Sequence, residues 1–120
     1  MNRTRTGENA ETLAHRYLEK RGLQLLHRNF RCKGGEIDLV MRDGDSLVFV
    51  EVRYRRRTNF GRAAETVSQI KQARIIHCAR YYVCQHQSWN APARFDVVSI
   101  EGSTDAPRIE WFRDAFQSSS

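Results

Sequence analysis

The 120-residue sequence has few cysteines and no long hydrophobic run, and both absences narrow the class of protein. Its three cysteines, Cys32, Cys78 and Cys84, are too few and too scattered for a disulfide framework, so we expect free thiols in a reducing compartment. No stretch approaches the roughly 20 apolar residues that span a bilayer. The N-terminus, MNRTRTGENAETL, lacks the apolar core of a signal peptide. We therefore expect a cytoplasmic protein without membrane association.

The sequence also lacks several motifs that would assign a chemistry directly. It contains no glycine-rich phosphate loop, no dinucleotide-binding fingerprint and no evident pairing of Ser or Cys with His for nucleophilic catalysis. No segment is repeated. With 40% hydrophobic and 28% charged residues, the composition suits one compact domain over residues 1–120, with frayed ends at 1–5 and 117–120.

Positive charge is the strongest compositional signal. Twenty Lys and Arg residues against 14 Asp and Glu give a formal net charge of +6, and the sequence pI is about 9.7. A small basic domain attracts polyanions, and nucleic acid is the commonest polyanion in a cell. The alternative is a soluble domain whose excess charge only keeps it dispersed.

The hydrophobic pattern predicts an α/β protein. Helical spacing runs through residues 8–21, and a long stretch without Gly or Pro predicts a second helix over 63–86. Alternating or apolar segments bounded by turn residues predict five strands, near residues 23–30, 35–41, 47–54, 94–101 and 108–113. This order of elements predicts a sandwich built around a mixed sheet.

The second and third strands form a predicted hairpin, GEIDLVMRDGDSLVFVEVR, that carries unusual charges. A turn centred between Gly44 and Asp45 pairs residues whose numbers sum to 89. The charged pairs on one face are then Asp38 with Glu51 and Glu36 with Arg53, and Val40 and Phe49 follow on the same face. The opposite face is predicted to be core and consists of Ile37, Leu39, Met41, Val48, Val50 and Val52.

The opposition of Asp38 and Glu51 requires a physical reason, because like charges directly opposed on a sheet are destabilising. A divalent cation supplies one, since Mg²⁺ binds through one or two protein carboxylates and completes its shell with water and phosphate. Two alternatives remain open at this point. The face can be exposed, with its charges answered by nearby Arg and Lys, and a one-residue slip in register would separate the two carboxylates.

Other charged residues fall near this hairpin in the predicted fold. Lys71 lies within the sheet-facing arc of the second helix, where it either extends to the edge or serves a site. Glu11 lies at the edge of the apolar stripe of the first helix. Arginines suited to phosphate follow the third strand, and they are Arg53, Arg55, Arg56, Arg57 and Arg62. The alternative is a solvated basic loop.

Several of these segments, in this order, resemble a known family. The helix with Glu11, then GEIDLV, FVEVR, the lysine of QIKQ, RFDVV and a closing DAF resemble the YraN family of small bacterial proteins. That family is similar to the restriction-endonuclease-like, PD-(D/E)XK superfamily and to archaeal Holliday-junction resolvases. The resemblance implies a three-layer sandwich with a mixed central β-sheet flanked by helices. It also implies a Mg²⁺- or Mn²⁺-dependent endonuclease that hydrolyses DNA, including branched or otherwise non-standard structures.

The resemblance assigns roles to five residues. Asp38 and Glu51 match the two carboxylates that hold the metal, and Glu11 matches a glutamate in the N-terminal helix of resolvase-like members. Arg53 stands where the superfamily usually has lysine, and arginine is a poor proton acceptor because its guanidinium group stays protonated in proteins. Lys71 is the candidate to take over that role, a hypothesis that rests on its place in the sheet-facing arc.

The missing lysine keeps a second function open, namely a catalytically inactive nucleic-acid-binding module with the same fold. A third and weaker hypothesis is a protein-interaction domain that uses Trp111 and Phe112. Symmetric cutting of two strands would favour a homodimer.

Overall fold

The computed structural model describes residues 3–55, 67–102 and 105–118. Within these ranges the chain forms two helices and five strands, as the sequence predicts. In chain order they are α1 (Arg3–Lys20), β1 (Gln24–Cys32), β2 (Gly35–Asp43), β3 (Ser46–Arg55), α2 (Gln69–Gln85), β4 (Ala93–Glu101) and β5 (Arg108–Phe116). Neither helix is long and apolar enough to cross a membrane.

The five strands form one mixed sheet in the order β1-β2-β3-β4-β5. All neighbouring pairs are antiparallel except β3 and β4, which run parallel and are connected through α2. A parallel pair needs such a crossover, because a tight hairpin can join only antiparallel strands. The predicted α/β class and mixed sheet are therefore confirmed, while the restriction-endonuclease-like assignment stays a prediction.

The two helices cover opposite faces of the sheet. On α1, Ala10, Ala14 and Leu18 recur every four residues and pack as one stripe. The strand residues of this core are Leu39, Met41, Val48, Val50, Val98 and Ile100. The α2 side has its own core, in which alternate strand residues such as Val40, Phe49 and Val97 contact the helix. The result is a helix–sheet–helix sandwich.

The helix α2 begins later than the pattern predicts. Its first residue is Gln69, and Val67 and Ser68 precede it, so the predicted helical conformation is wrong at these two positions; residues 63–66 lie outside the described ranges. The Ser68 side chain accepts a hydrogen bond from the Lys71 backbone N at 3.2 Å, the usual arrangement at a helix N-terminus. The face of α2 that packs on the sheet consists of the buried residues Ile75, Cys78, Ala79 and Tyr82.

The predicted register of the β2–β3 hairpin is confirmed. Leu39 pairs with Val50 and Val40 with Phe49, and the ladder continues to the turn. One core prediction is wrong, because Ile37 packs in the α2 core and not beside Leu39. Ile37 pairs with Phe30 of β1, which belongs to the same α2 core, and directly paired residues of neighbouring strands share a face.

The expectation of three free thiols is also wrong for two of them. Cys32 and Cys78 form a disulfide, with their Cα atoms 5.8 Å apart, and Cys84 is free. Cys32 ends β1, and Cys78 lies on the buried face of α2, which packs over that end of the sheet. The disulfide therefore links the sheet to the helix across 46 residues of sequence.

We predict that reduction of this disulfide lowers the free energy of unfolding by about 2–4 kcal/mol, because the closed loop restricts the unfolded chain. Urea titrations with and without dithiothreitol measure the difference. A Cys84→Ser variant should respond to the reductant as the wild type does, whereas Cys32→Ala combined with Cys78→Ala should not respond. An equal response by the double variant would contradict the assignment.

Candidate active site

The last paired residues of the β2–β3 ladder lead directly into an acidic cleft. The ladder ends at Leu39 and Val50, and the next residues along the strands are Asp38 and Glu51. Asp38 Oδ2 accepts a hydrogen bond from the Val52 backbone N at 2.8 Å, so this side chain replaces the ladder at that point. Glu51 is only 5% exposed. Two carboxylates are thereby held side by side, as the register predicts.

Lys71 joins these carboxylates from the first turn of α2. Its Nζ lies 2.6 Å from Glu51 Oε2, and the lysine side chain is 56% exposed. The sequence left open whether Lys71 extends to the edge or serves a site, and in the structure its ammonium group lies beside Glu51. Because Lys71 is more than half exposed, the ammonium group can still contact a ligand that enters from solvent.

The surrounding cleft has a volume of about 310 Å³. Its lining consists of Gly34, Gly35, Glu36, Asp38, Glu51, Lys71, Arg74 and Ile75. Gly35 lies against the helix so closely that an added Cβ would stand 3.2 Å from the Arg74 backbone O. The start of β2 and the first turns of α2 therefore form two walls in close contact, with the carboxylates between them.

The electrostatics of the cleft favour protonation of one carboxyl group in the absence of a cation. Burial and the neighbouring Glu51 carboxylate raise the pKa of Asp38 to about 8, although the hydrogen bond from Val52 acts in the opposite direction. Glu11 adds a smaller increase to the pKa of Asp38. A site that disfavours two adjacent negative charges gains stability when a proton or a metal cation neutralises one of them.

Glu11 approaches this region from the other helix. Burial raises the pKa of Glu11, and the Asn29 and Arg28 side chains oppose the increase. Its Oε1 lies 3.6 Å from Arg28 Nη2 and is buried without a hydrogen bond among the described residues. Glu11 is not part of the cleft lining. No group of three or more His, Cys, Asp or Glu that could hold a metal is found in residues 3–55, 67–102 and 105–118.

The predicted phosphate-binding arginines are only partly described. Arg53 follows Glu51 by two residues and is partly buried, beside Ser99 of β4 in the parallel register. It does not line the acidic cleft. Arg55 ends β3 and is also partly buried. The remaining candidates lie outside the described residues, and they are Arg56, Arg57 and Arg62.

The predicted pair of Glu36 with Arg53 is not part of the β2–β3 ladder, which ends at Leu39 and Val50, and Glu36 pairs with Arg31 of β1. One feature of the cleft was not predicted from the sequence. Arg74 lines the cleft one turn after Lys71, and this i, i+3 spacing was the signal that could have found it. The cleft thus receives two cationic side chains from α2.

The fold and the cleft define a class of protein, namely a small α/β protein in which carboxylates from two inner strands of a mixed sheet and a lysine from a helix meet in one cleft. The profile of the uncharacterised protein family UPF0102 matches residues 10–100. A UPF0102 protein of Pseudomonas putida is 50% identical over 116 residues, which cover 95% of this chain and 94% of the relative. A UPF0102 protein of Nitrosococcus oceani is 51% identical over 112 residues, which cover 92% of this chain and 90% of the relative. The chain belongs to the UPF0102 family.

The raised pKa of Asp38 makes a prediction about stability in the absence of divalent cations. A carboxyl group whose pKa is higher in the folded than in the unfolded state destabilises the folded state at high pH. This penalty begins above the unfolded pKa, grows as the pH rises and is complete above the folded pKa. Asp38→Asn removes this penalty and keeps an oxygen for the Val52 hydrogen bond. We expect the variant to gain about 1–3 kcal/mol in free energy of unfolding at pH 8, and less at pH 4.

Urea unfolding in EDTA at the two pH values measures this effect. Asp45→Asn, an exposed turn residue, is the matched control and should change stability little at either pH. If Asp38→Asn loses as much free energy of unfolding at pH 8 as it does at pH 4, then Asp38 carries no such penalty.

Proposed function

We propose that this chain is a metal-dependent nuclease that hydrolyses DNA phosphodiester bonds, with Asp38 and Glu51 as ligands of Mg²⁺ or Mn²⁺. The observation that carries the proposal is the pair of adjacent carboxylates, held by the hydrogen bond from Val52 and the ion pair with Lys71. Their chemistry fits the ion, because Mg²⁺ binds through one or two carboxylates and leaves its other positions to water and substrate phosphate.

The bound cation would activate water and stabilise charge on the phosphate. The protein's own part in hydrolysis then falls to its cationic side chains. Lys71 is positioned beside Glu51, where its ammonium group can orient a water and neutralise charge on the pentacovalent phosphate. Arg53 shares this side of β3 and can stabilise charge, but it cannot accept a proton from water. Glu11 influences the site through its charge on Asp38.

The basic character of the chain supports a nucleic-acid substrate. A net charge of +6 concentrates polyanions near the surface. Arg74 extends the positive charge from the cleft along α2. The proposed contacts to the flanking backbone are made by Arg53, Arg55, Arg56, Arg57 and Arg62. Such contacts give affinity that falls steeply with salt and carries little sequence information.

A second candidate function is a nucleic-acid-binding module without catalysis. Two observations favour it: Arg53 replaces the lysine usual in the superfamily that the sequence resembles, and Lys71 already neutralises Glu51. This candidate shares the salt-sensitive binding of the nuclease. It differs in forming no products with any divalent cation.

We predict that the wild type cleaves one or more members of a panel of linear, single-stranded and branched DNA with Mg²⁺ or Mn²⁺. Glu51→Gln and Asp38→Asn should each reduce the cleavage rate at least about 10²-fold, because they remove a charged metal ligand. Lys71→Met should reduce the rate about 10- to 100-fold and leave binding largely intact.

Glu19→Gln, an exposed residue of α1, serves as the matched control and should cleave as the wild type does. Equal cleavage by the wild type and Glu51→Gln would identify a contaminating nuclease. Binding by both without products would establish the binding module instead, and Arg53→Lys would then test whether the missing lysine is the reason.

A further inference from the structure

The two partners of the ion pair in the acidic cleft differ in their freedom to move. Glu51 lies on β3, the central strand of the sheet, and its side chain is 5% exposed, whereas the Lys71 side chain is 56% exposed. A lysine side chain is a flexible four-carbon stem that carries a compact charge. If the pair separates, the side chain that moves is therefore Lys71, and Glu51 stays in place.

The backbone of Lys71 is fixed although its side chain is exposed. The Ser68 hydroxyl accepts a hydrogen bond from the Lys71 backbone N at 3.2 Å, and the Gln72 side chain donates one to the Val67 backbone O at 2.8 Å. These two bonds hold the first turn of α2 at the residues that precede it. The ammonium group can therefore swing over the cleft from a fixed point of attachment.

The Glu51 carboxylate is needed by two different cations in the proposed site. Its Oε2 lies 2.6 Å from Lys71 Nζ. The proposed function assigns the same carboxylate to Mg²⁺ or Mn²⁺. An ammonium group and a divalent cation that share one carboxylate lie only a few ångströms apart, and two positive charges at that distance repel strongly where water is excluded. Both therefore cannot keep their best contact with Glu51 at the same time.

The Glu51 carboxylate is unfavourable with neither partner. An ionised carboxyl group that is removed from water costs free energy unless an opposite charge pairs with it. Asp38 lines the same cleft as a second acidic group and adds to this cost. Lys71 supplies the positive charge in the structure, and a bound divalent cation would meet the same need. The two cations are therefore alternative partners of one buried group.

We propose that Lys71 is an exchangeable partner of Glu51: it leaves the carboxylate when a divalent cation binds there and moves to the phosphate of the substrate; this rests on the proposed function. The exchange keeps the buried carboxylate paired throughout. It also makes the ammonium group available to a phosphate only once the cation is in place. Lys71 remains in the cleft lining with Arg74, so the displaced charge stays where the phosphate is expected.

The main rival is a lysine that stays paired with Glu51 whatever else binds. Lys71 would then hold the carboxylate in the orientation that suits the metal, and its removal would weaken metal binding. The exchange predicts the opposite, because Lys71 competes with the cation for Glu51. The sign of the change in metal affinity therefore separates the two roles.

Titration with Mn²⁺ in the absence of DNA, followed by electron paramagnetic resonance, measures this change independently of cleavage. We expect Lys71→Met to bind Mn²⁺ about 3- to 10-fold more tightly than the wild type, since the competing ion pair is gone. Lys71→Arg should bind Mn²⁺ more weakly than the wild type does, because a guanidinium group can hold a carboxylate through two hydrogen bonds. In EDTA, Lys71→Met should unfold at a lower urea concentration than the wild type, and Mn²⁺ should reduce this difference.

Arg74→Met is the matched control, since it removes a positive charge from the lining of the same cleft and leaves the ion pair intact. It should change the Mn²⁺ affinity less than about 2-fold. Unchanged or weaker Mn²⁺ binding by Lys71→Met would overturn the exchange while the metal site stands. An equal gain in Arg74→Met would also overturn it, because the gain would then reflect only the net charge of the cleft. Absence of Mn²⁺ binding in the wild type and every variant would overturn the proposed nuclease as well.

The move of Lys71 to the phosphate has its own test on DNA. At saturating Mn²⁺, Lys71→Met should cleave more slowly than the wild type although it binds Mn²⁺ more tightly. This opposite change of metal affinity and rate is expected only if one side chain serves both partners in turn. Equal cleavage by the two proteins at saturating Mn²⁺ would overturn this second step.

Discussion

The register of the β2–β3 hairpin is the constraint on which the rest of the site depends. Because side chains alternate along a strand, a shift of one residue would move Asp38 and Glu51 to opposite faces of the sheet. The pairs from Leu39–Val50 to the turn fix that register through core packing on both faces. The charges of the two carboxylates oppose it, and the hydrogen bond from Val52 to Asp38 offsets part of their repulsion. The apolar residues of the hairpin therefore hold an electrostatically unfavourable arrangement in place.

The contact between α2 and the start of β2 completes this arrangement. Ser68 fixes where the helix begins, and the first turn then directs Lys71 at Glu51. Gly35 permits the close approach of the two elements, and the disulfide from Cys78 to the end of β1 holds them together. The lysine is therefore delivered by tertiary packing. A lysine on α2 can thus reach the same Glu51 carboxylate as a lysine on the strand at position 53 would, although the two positions lie far apart in the sequence.

The sequence allowed most of the fold to be predicted, because its strongest signals are local. Turn residues and alternation were enough for the hairpin register and hence for the meeting of Asp38 and Glu51. The face of Ile37 was predicted wrongly, because strict alternation along the strand placed it beside Leu39 and does not show which core the start of the strand packs in. The Cys32–Cys78 pair was missed for a similar reason: spacing alone does not reveal which residue of α2 packs over the end of β1.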